Sequence, residues 1–165
     1  MLGSFGVGKT SLVRRFVYDR FENKYLSTIG VKVSRKTVVI PLANRVIDLA
    51  LILWDLAGSE EFDQFRLSYL RGAAGAVLVC DLTRPETFDH LPLYVDDLRK
   101  VSPTAQVILA ANKADLKDQQ NIMPSQIETY AGDLNAPYYL TSAKSGDQVE
   151  TLFRQLGHLV MVKNS

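Results

Sequence analysis

Apolar and polar positions along this chain follow two rhythms. In residues 9–20 the apolar side chains Leu12, Val13, Phe16 and Val17 recur at helical spacing, which predicts an amphipathic helix. Two extended runs follow, residues 32–40 and 46–55. Pro41-Leu42-Ala43-Asn44-Arg45 between them has turn character, so the pair predicts an antiparallel hairpin. Residues 73–81, 106–112 and 137–142 are short apolar runs of the kind found in strands buried on both faces. Helices fall between and after them. Pro92 suits the first turn of a helix running to about Lys100. Ser125 with Glu128, and Ser145 with Gln148, have the capping-box spacing that opens a helix. Strand and helix in alternation predict an α/β fold: a mainly parallel, doubly wound sheet with one antiparallel hairpin strand and helices on both faces. No long-period repeat and no low-complexity segment interrupts the pattern, so residues 1–165 read as one domain.

The chemistry begins at the first helix. Gly3-Ser4-Phe5-Gly6-Val7-Gly8-Lys9-Thr10 fits G-x-x-x-x-G-K-[ST] directly before it. Successive backbone N–H groups in such a loop, with the helix N-terminus behind them, cradle a diphosphate. The candidate phosphate-binding residues are therefore Gly3, Phe5, Gly6, Val7, Gly8, Lys9, Thr10 and Ser11. Lys9 would reach the β- and γ-phosphates and the Thr10 hydroxyl would ligate Mg²⁺; the plain alternative is a glycine-rich turn with a chance lysine. At the end of a later strand, Trp54-Asp55-Leu56-Ala57-Gly58 offers Asp55 for Mg²⁺ through water and the Gly58 N–H for a γ-phosphate oxygen. A D-x-x-G sequence is also a common turn. Thr28, in Tyr25-Leu26-Ser27-Thr28-Ile29-Gly30, means nothing alone and becomes a candidate Mg²⁺ ligand because the other two elements bracket it.

Asn112-Lys113-Ala114-Asp115 and Ser142-Ala143-Lys144 each follow a predicted strand. A carboxylate sets two acceptors side by side, matching the N1–H and N2–H₂ donors of guanine, whereas adenine has no such donor pair. A site built on buried hydrogen bonds rejects a mismatched analogue by about 10⁴ or more. The Lys113 stem could cover the base plane, and the Ala143 N–H could bond guanine O6.

Composition narrows the setting. Of 165 residues, 47% are apolar and 22% charged, a globular composition that excludes a disordered chain. With 19 basic against 18 acidic residues, the net charge of +1 gives no electrostatic reason to expect nucleic acid or an anionic membrane as the main partner. Cys80 has no second cysteine for an internal disulfide, which points to a reducing, cytoplasmic setting. The apolar stretches are too short to span a bilayer, and no signal peptide opens the chain.

Taken together, the chain resembles the small Ras-like GTPases, and among them most closely the Rab branch. The resemblance rests on GSFGVGKTS, YLSTIG, WDLAGSEEF, YLRGA, NKAD and TSAK in family order across nearly the whole sequence. It implies a GDP/GTP switch with Mg²⁺. The loops around Tyr25 to Gly30 and Asp55 to Tyr69 would order with the γ-phosphate and meet protein effectors and regulators. The reaction would be in-line attack of water on the γ-phosphate, with Lys9, Thr28, Gly58 and Ser59 at the reacting end. Guanine would lie among Phe21, Asn112, Lys113, Asp115, Ser142, Ala143 and Lys144. The alternative for Phe21 is a residue closing the first helix against the core.

Several departures from the family pattern carry consequences. Ser59 stands where the family places the glutamine that orients the attacking water, and Phe5 stands where it carries a small residue. Both predict slow hydrolysis; Glu60 and Glu61 read as solvated loop residues. Only Met1 and Leu2 precede Gly3, where the family has a whole strand. Losing about four buried side chains would remove roughly 6–12 kcal/mol. The expectation is that Met1 is internal to a longer reading frame, or that the fold is marginal. No cysteine lies near Ser165, so a direct lipid anchor is not expected. Cys80, Trp54, Tyr138 and Tyr139 read as packing residues, His90 and His158 as surface or interhelical, and Arg14-Arg15 and Asp96-Asp97 as solvated helix faces. The function expected is a guanine-nucleotide switch of signalling or trafficking type. The alternatives are a hydrolysis-deficient pseudo-GTPase and an ATP-dependent P-loop kinase, which Asn112 to Asp115 speak against.

Overall fold

A computed structural model of the chain describes residues 1–24, 26–58 and 63–163. In chain order the elements are α1 (Lys9–Tyr18), β1 (Val31–Leu42), β2 (Arg45–Leu56), α2 (Asp63–Leu70), β3 (Gly75–Asp81), α3 (Pro85–Asp89), α4 (Leu91–Val101), β4 (Gln106–Asn112), α5 (Pro124–Asp133), β5 (Tyr138–Leu140) and α6 (Val149–Lys163). β1 and β2 form an antiparallel hairpin whose register runs from Val31 opposite Leu56 to Leu42 opposite Arg45. β3, β4 and β5 form a parallel sheet in that order. The α/β class and the parallel sheet with its antiparallel hairpin are as the periodicity predicts.

The two-residue side-chain period of the parallel strands divides the core between two faces. Leu78, Cys80, Leu109 and Ala111 point to one side, where Leu91 and Leu98 of α4 and Ile127 of α5 cover them. Val77, Val79, Ile108 and Ala110 point to the other, against Leu12 and Phe16 of α1 and Leu152 and Phe153 of α6. Phe16 and Phe153 stack with their ring centroids 4.2 Å apart. This double covering explains why the strands read as continuous apolar runs. Burial drives the Cys80 thiol pKa up to about 12, in keeping with a packing role. No helix among the described residues is long and apolar enough to cross a membrane.

Boundaries shift where local chemistry overrides the pattern. α1 stops at Tyr18, short of Arg20, because Asp19 turns left-handed (φ 51°) and its N–H returns to the Arg15 carbonyl. The hairpin strands are longer than predicted, and the turn shrinks to Ala43 and Asn44. β3 starts at Gly75, two residues after the predicted start. β5 is shorter because the Ser142 N–H leaves the ladder for the Asp147 carbonyl. Neither predicted capping box forms. α5 begins at Pro124, whose fixed φ suits the first turn, and Gln126 accepts from the Met123 N–H at 2.8 Å, leaving Ser125 inside the helix. α6 begins only at Val149, after the left-handed Gln148, and Ser145 instead serves a turn by accepting from the Asp147 N–H.

At the chain start, Leu2 pairs in parallel with β3. Its N–H reaches the Val77 carbonyl at 2.9 Å and its carbonyl accepts from Val79 at 2.8 Å. The Met1 amine donates to the Trp54 carbonyl of β2 at 2.8 Å. These two residues thus stand between the hairpin and the parallel sheet, beside an apolar cavity of about 570 Å³.

Candidate functional site

The phosphate-loop residues lie between Leu2 and α1, at the carboxyl end of β3. Glycine is required at two points. A Cβ on Gly3 would fall 2.3 Å from the Val79 carbonyl oxygen, and one on Gly8 would fall 2.2 Å from Asn112 Nδ2. The predicted loop is therefore wedged against β3 and β4. Lys9 opens α1, buried, with Nζ 2.6 Å from the Gly3 carbonyl and 2.9 Å from the Ser4 carbonyl. Burial pushes its pKa down to about 8, against the pull of Asp55. Val7 is fully buried, and its carbonyl accepts from Asn112 Nδ2 at 2.9 Å. Phe5, Gly6, Gly8, Lys9, Thr10, Ser11, Phe21, Thr28, Gly58 and Lys113 all border one cavity of about 190 Å³. Phe21 borders this cavity and also packs against the α1 and α6 core, as its packing reading expects.

Three oxygens meet beside this cavity, which Thr10 and Thr28 border. Thr10 Oγ1 donates to Asp55 Oδ2 at 2.5 Å, which leaves Thr28 Oγ1, 2.6 Å away, to donate to Thr10. Asp55 is buried, and its other oxygen, Oδ1, has no hydrogen-bond partner among the described residues. A buried carboxylate oxygen without a donor, beside two hydroxyls, is a hard-oxygen set that fits Mg²⁺. The loop holding Thr28 is tied in by the Ala57 N–H, which donates to the Gly30 carbonyl at 2.9 Å. A Cβ on Gly58 would lie 2.5 Å from Lys9 Nζ, so this glycine permits the lysine's position. Ser59, Glu60, Glu61 and Tyr25 lie outside the described residues.

On the base side, the buried Asn112 amide is a hub. Besides donating to Val7, its Oδ1 accepts from Thr141 Oγ1 at 3.1 Å and from the Ala143 N–H at 3.3 Å. The Ala143 amide, expected at guanine O6, is therefore directed to Asn112. Asp115 is held by the Ser142 hydroxyl at 2.7 Å, and Ser142 Oγ in turn accepts from the Ser145 N–H at 3.0 Å. Lys113 adopts φ 67°, a left-handed conformation that a non-glycine residue takes only when its surroundings hold it there. Lys144 is exposed.

Some residues at this site escape a linear reading. Arg15, predicted on a solvated face, instead donates from Nε to the Ala143 carbonyl at 2.9 Å and from Nη2 to the Lys144 carbonyl at 2.6 Å. Nothing local distinguishes it from Arg14, which pairs with Glu22. Asp97 is likewise not solvated: Arg66 and Lys100 both bond it, and it is 18% exposed. His90 meets the phosphate loop through Ser4 Oγ at 3.2 Å. Asp81 is fully buried at the end of β3, bonded by Lys113 at 2.6 Å. An acidic residue closing an apolar strand was the available signal for it.

A phosphate loop feeding a helix, at the carboxyl ends of parallel strands, defines an α/β nucleotide-binding protein of the P-loop class. A family model described as the Ras family matches residues 1–162, and the chain belongs to that family. It is accordingly a small Ras-like GTPase, a GTP-binding switch in general type. Ras-family proteins generally bind GTP or GDP with Mg²⁺ and work through protein effectors and regulators.

Proposed function

We propose that this chain is a guanine-specific, Mg²⁺-dependent switch of Rab-like type that hydrolyses GTP slowly and acts in the cytoplasm as a signalling or trafficking regulator. The observation that carries the guanine reading is the Asn112 hub. One buried amide joins the phosphate loop at Val7 to the loop at Thr141 and Ala143, beside an Asp115 carboxylate held in place by Ser142. In this reading Asp115 accepts from guanine N1–H and N2–H₂, the Lys113 stem and Phe21 flank the ring, and Ala143 and Lys144 close the far side. Gly3 to Ser11 wrap the phosphates, and Lys9 gives its charge to the β- and γ-phosphate oxygens. Thr10, Thr28 and Asp55 would hold Mg²⁺, which supplies positive charge to the phosphate oxygens as negative charge shifts in the transition state. Catalysis then rests on positioning, with the Gly58 N–H at the γ-phosphate.

Slow turnover follows from two side chains. Phe5 borders the cavity yet is 47% exposed, so its ring stands at the mouth where water or an incoming arginine would approach. Ser59 is too short to hold a water through a paired donor and acceptor. Partner contact is supported by apolar side chains left exposed beside the two switch loops: Leu26, Ile29, Val33, Trp54 and Phe65. Phe5 also favours the second reading, a nucleotide-bound interaction module without hydrolysis. Single-turnover assays separate them. Wild type should release phosphate over hours, and Phe5→Gly and Ser59→Gln should each accelerate it at least about tenfold. A fast wild type unmoved by either change would contradict the slow-switch reading, and no release from any variant would favour the module.

A further inference from the structure

Asp81 is a fully buried carboxylate whose hydrogen bonds span the site from one loop to another. Its Oδ1 accepts from the Thr83 N–H at 2.9 Å and the Thr83 hydroxyl at 2.7 Å. Its Oδ2 accepts from Arg84 Nε at 3.0 Å and from Lys113 Nζ at 2.6 Å. Arg84 then reaches onward: Nη2 donates to the Phe5 carbonyl of the phosphate loop at 2.9 Å. Lys113, Asp81, Arg84 and Phe5 form an unbroken polar chain from the base side of the site to its phosphate side.

We propose that Arg84 is a positioning residue of the nucleotide site: braced through Asp81 against Lys113, it holds the Phe5 carbonyl and so orients the phosphate loop. A trans peptide is planar, with its C=O and N–H pointing opposite ways. Fixing the Phe5 carbonyl toward Arg84 therefore fixes the Gly6 N–H in the opposite direction. Gly6 borders the cavity and has φ 72°, so nothing in its own side chain restrains that peptide. The brace engages only the ammonium tip of Lys113 and leaves its carbon stem for the base plane. Burial alone would raise the Asp81 pKa, but hydrogen bonds from Lys113, Thr83 and Arg84 outweigh it and the net shift is downward, so the carboxylate stays charged. Arg84 also lies close enough to Lys9 for its charge to lower that lysine's pKa, after burial and against Asp55. Its guanidinium thus adds positive potential where phosphate would sit.

This inference rests on the guanine-nucleotide reading, and the test separates their failures. Full-length wild type, Arg84→Gln and Arg84→Lys are loaded with fluorescent GDP in excess Mg²⁺ and chased with unlabelled GDP, and GMP affinity is measured alongside. Arg84→Gln should release GDP about tenfold faster, the size of one charge-assisted hydrogen bond at a partly exposed site. Arg84→Lys, which can reach Asp81 or the carbonyl but not both, should fall between. GMP affinity should move less than about twofold, because GMP does not extend along the loop. Asp81→Asn combined with Arg84→Gln should add little to either alone. A wild type that binds no GDP overturns both readings. A normal wild type with an Arg84→Gln release rate within about twofold of it overturns only the brace. Equal losses for GMP and GDP would mean general loosening and would also overturn it.

Discussion

Asn112 and Asp55 each lie at the end of an apolar strand, each is buried, and they are surrounded in opposite ways. Every hydrogen-bonding direction of Asn112 that the fold uses is spent inside the protein, on Val7, Thr141 and Ala143. Asp55 has one oxygen engaged by Thr10 and the other buried with no hydrogen-bond partner among the described residues. The Asn112 side is thus assembled by the protein's own bonds, while the Asp55 corner keeps a buried oxygen with no hydrogen bond among the described residues. An unpaired buried polar atom costs about 1–3 kcal/mol. On the proposed reading, the loops that meet the base are held by the fold's own bonds, and the phosphate end is left for ligands to complete.

The largest effect should come from the base side. Asp115→Asn keeps an oxygen for Ser142 but turns one acceptor edge into a donor. Two charge-assisted hydrogen bonds, at about 1.5–3 kcal/mol each, are lost or reversed, so GDP affinity should fall about 10²–10⁴-fold. Xanthine, which carries a carbonyl in place of the 2-amino group, should bind the variant better than guanine does. Competition titrations would read both changes; unchanged GDP affinity would show that Asp115 does not face the base.

Asp55→Asn probes the other side. It removes a buried carboxylate whose Oδ1 has no hydrogen-bond partner among the described residues, at the expense of its attraction to Lys9, so the thermal unfolding midpoint in chelator should change little. The same change should abolish most of the Mg²⁺-dependent slowing of GDP release, by about tenfold or more, with GDP-over-ATP preference unchanged. A variant that is strongly destabilised in chelator would mean that Asp55 is already satisfied, and the contrast with Asn112 would collapse.

How much of this was legible in the sequence depends on whether the signal was local. The glycine spacing before Lys9 announces the phosphate loop because a Cβ at Gly3 would meet the Val79 carbonyl and one at Gly8 the Asn112 amide. The parallel strands were legible because burial on both faces leaves runs with no polar positions. Capping failed as a guide at Ser125 and Ser145: a proline one residue upstream, and a left-handed residue before Val149, set those starts instead. The site contacts of Arg15 and Arg84 could not be read, since those partners lie far off in sequence even though each arginine also pairs with a nearby aspartate. Arg15 bonds carbonyls at 143 and 144, and Arg84 bonds the carbonyl at 5.

Arg15 offers a smaller test of the preassembled base side. Arg15→Ala removes the hydrogen bonds to the Ala143 and Lys144 carbonyls, the first partly buried, together with the exposed pair to Asp19. Stability should drop by about 1–2 kcal/mol, and GDP release should quicken severalfold through the loosened loop at Ala143. Chemical denaturation and the release assay would each show it, and an unchanged release rate would detach Arg15 from the site. The smallest effect expected is at Cys80. Its buried thiol, with a pKa pushed up to about 12, should resist a thiol reagent at pH 8 in the native protein and react fully once the chain is unfolded.

The central claim concerns which purine the pocket takes. Purified protein should carry guanine nucleotide, identified by mass after release, and a fluorescent GDP bound in the presence of Mg²⁺ should be displaced by GDP and GTP while a thousandfold excess of ATP leaves it in place. Displacement by ATP at concentrations comparable to GDP, or a protein that retains neither guanine nucleotide, would contradict the account.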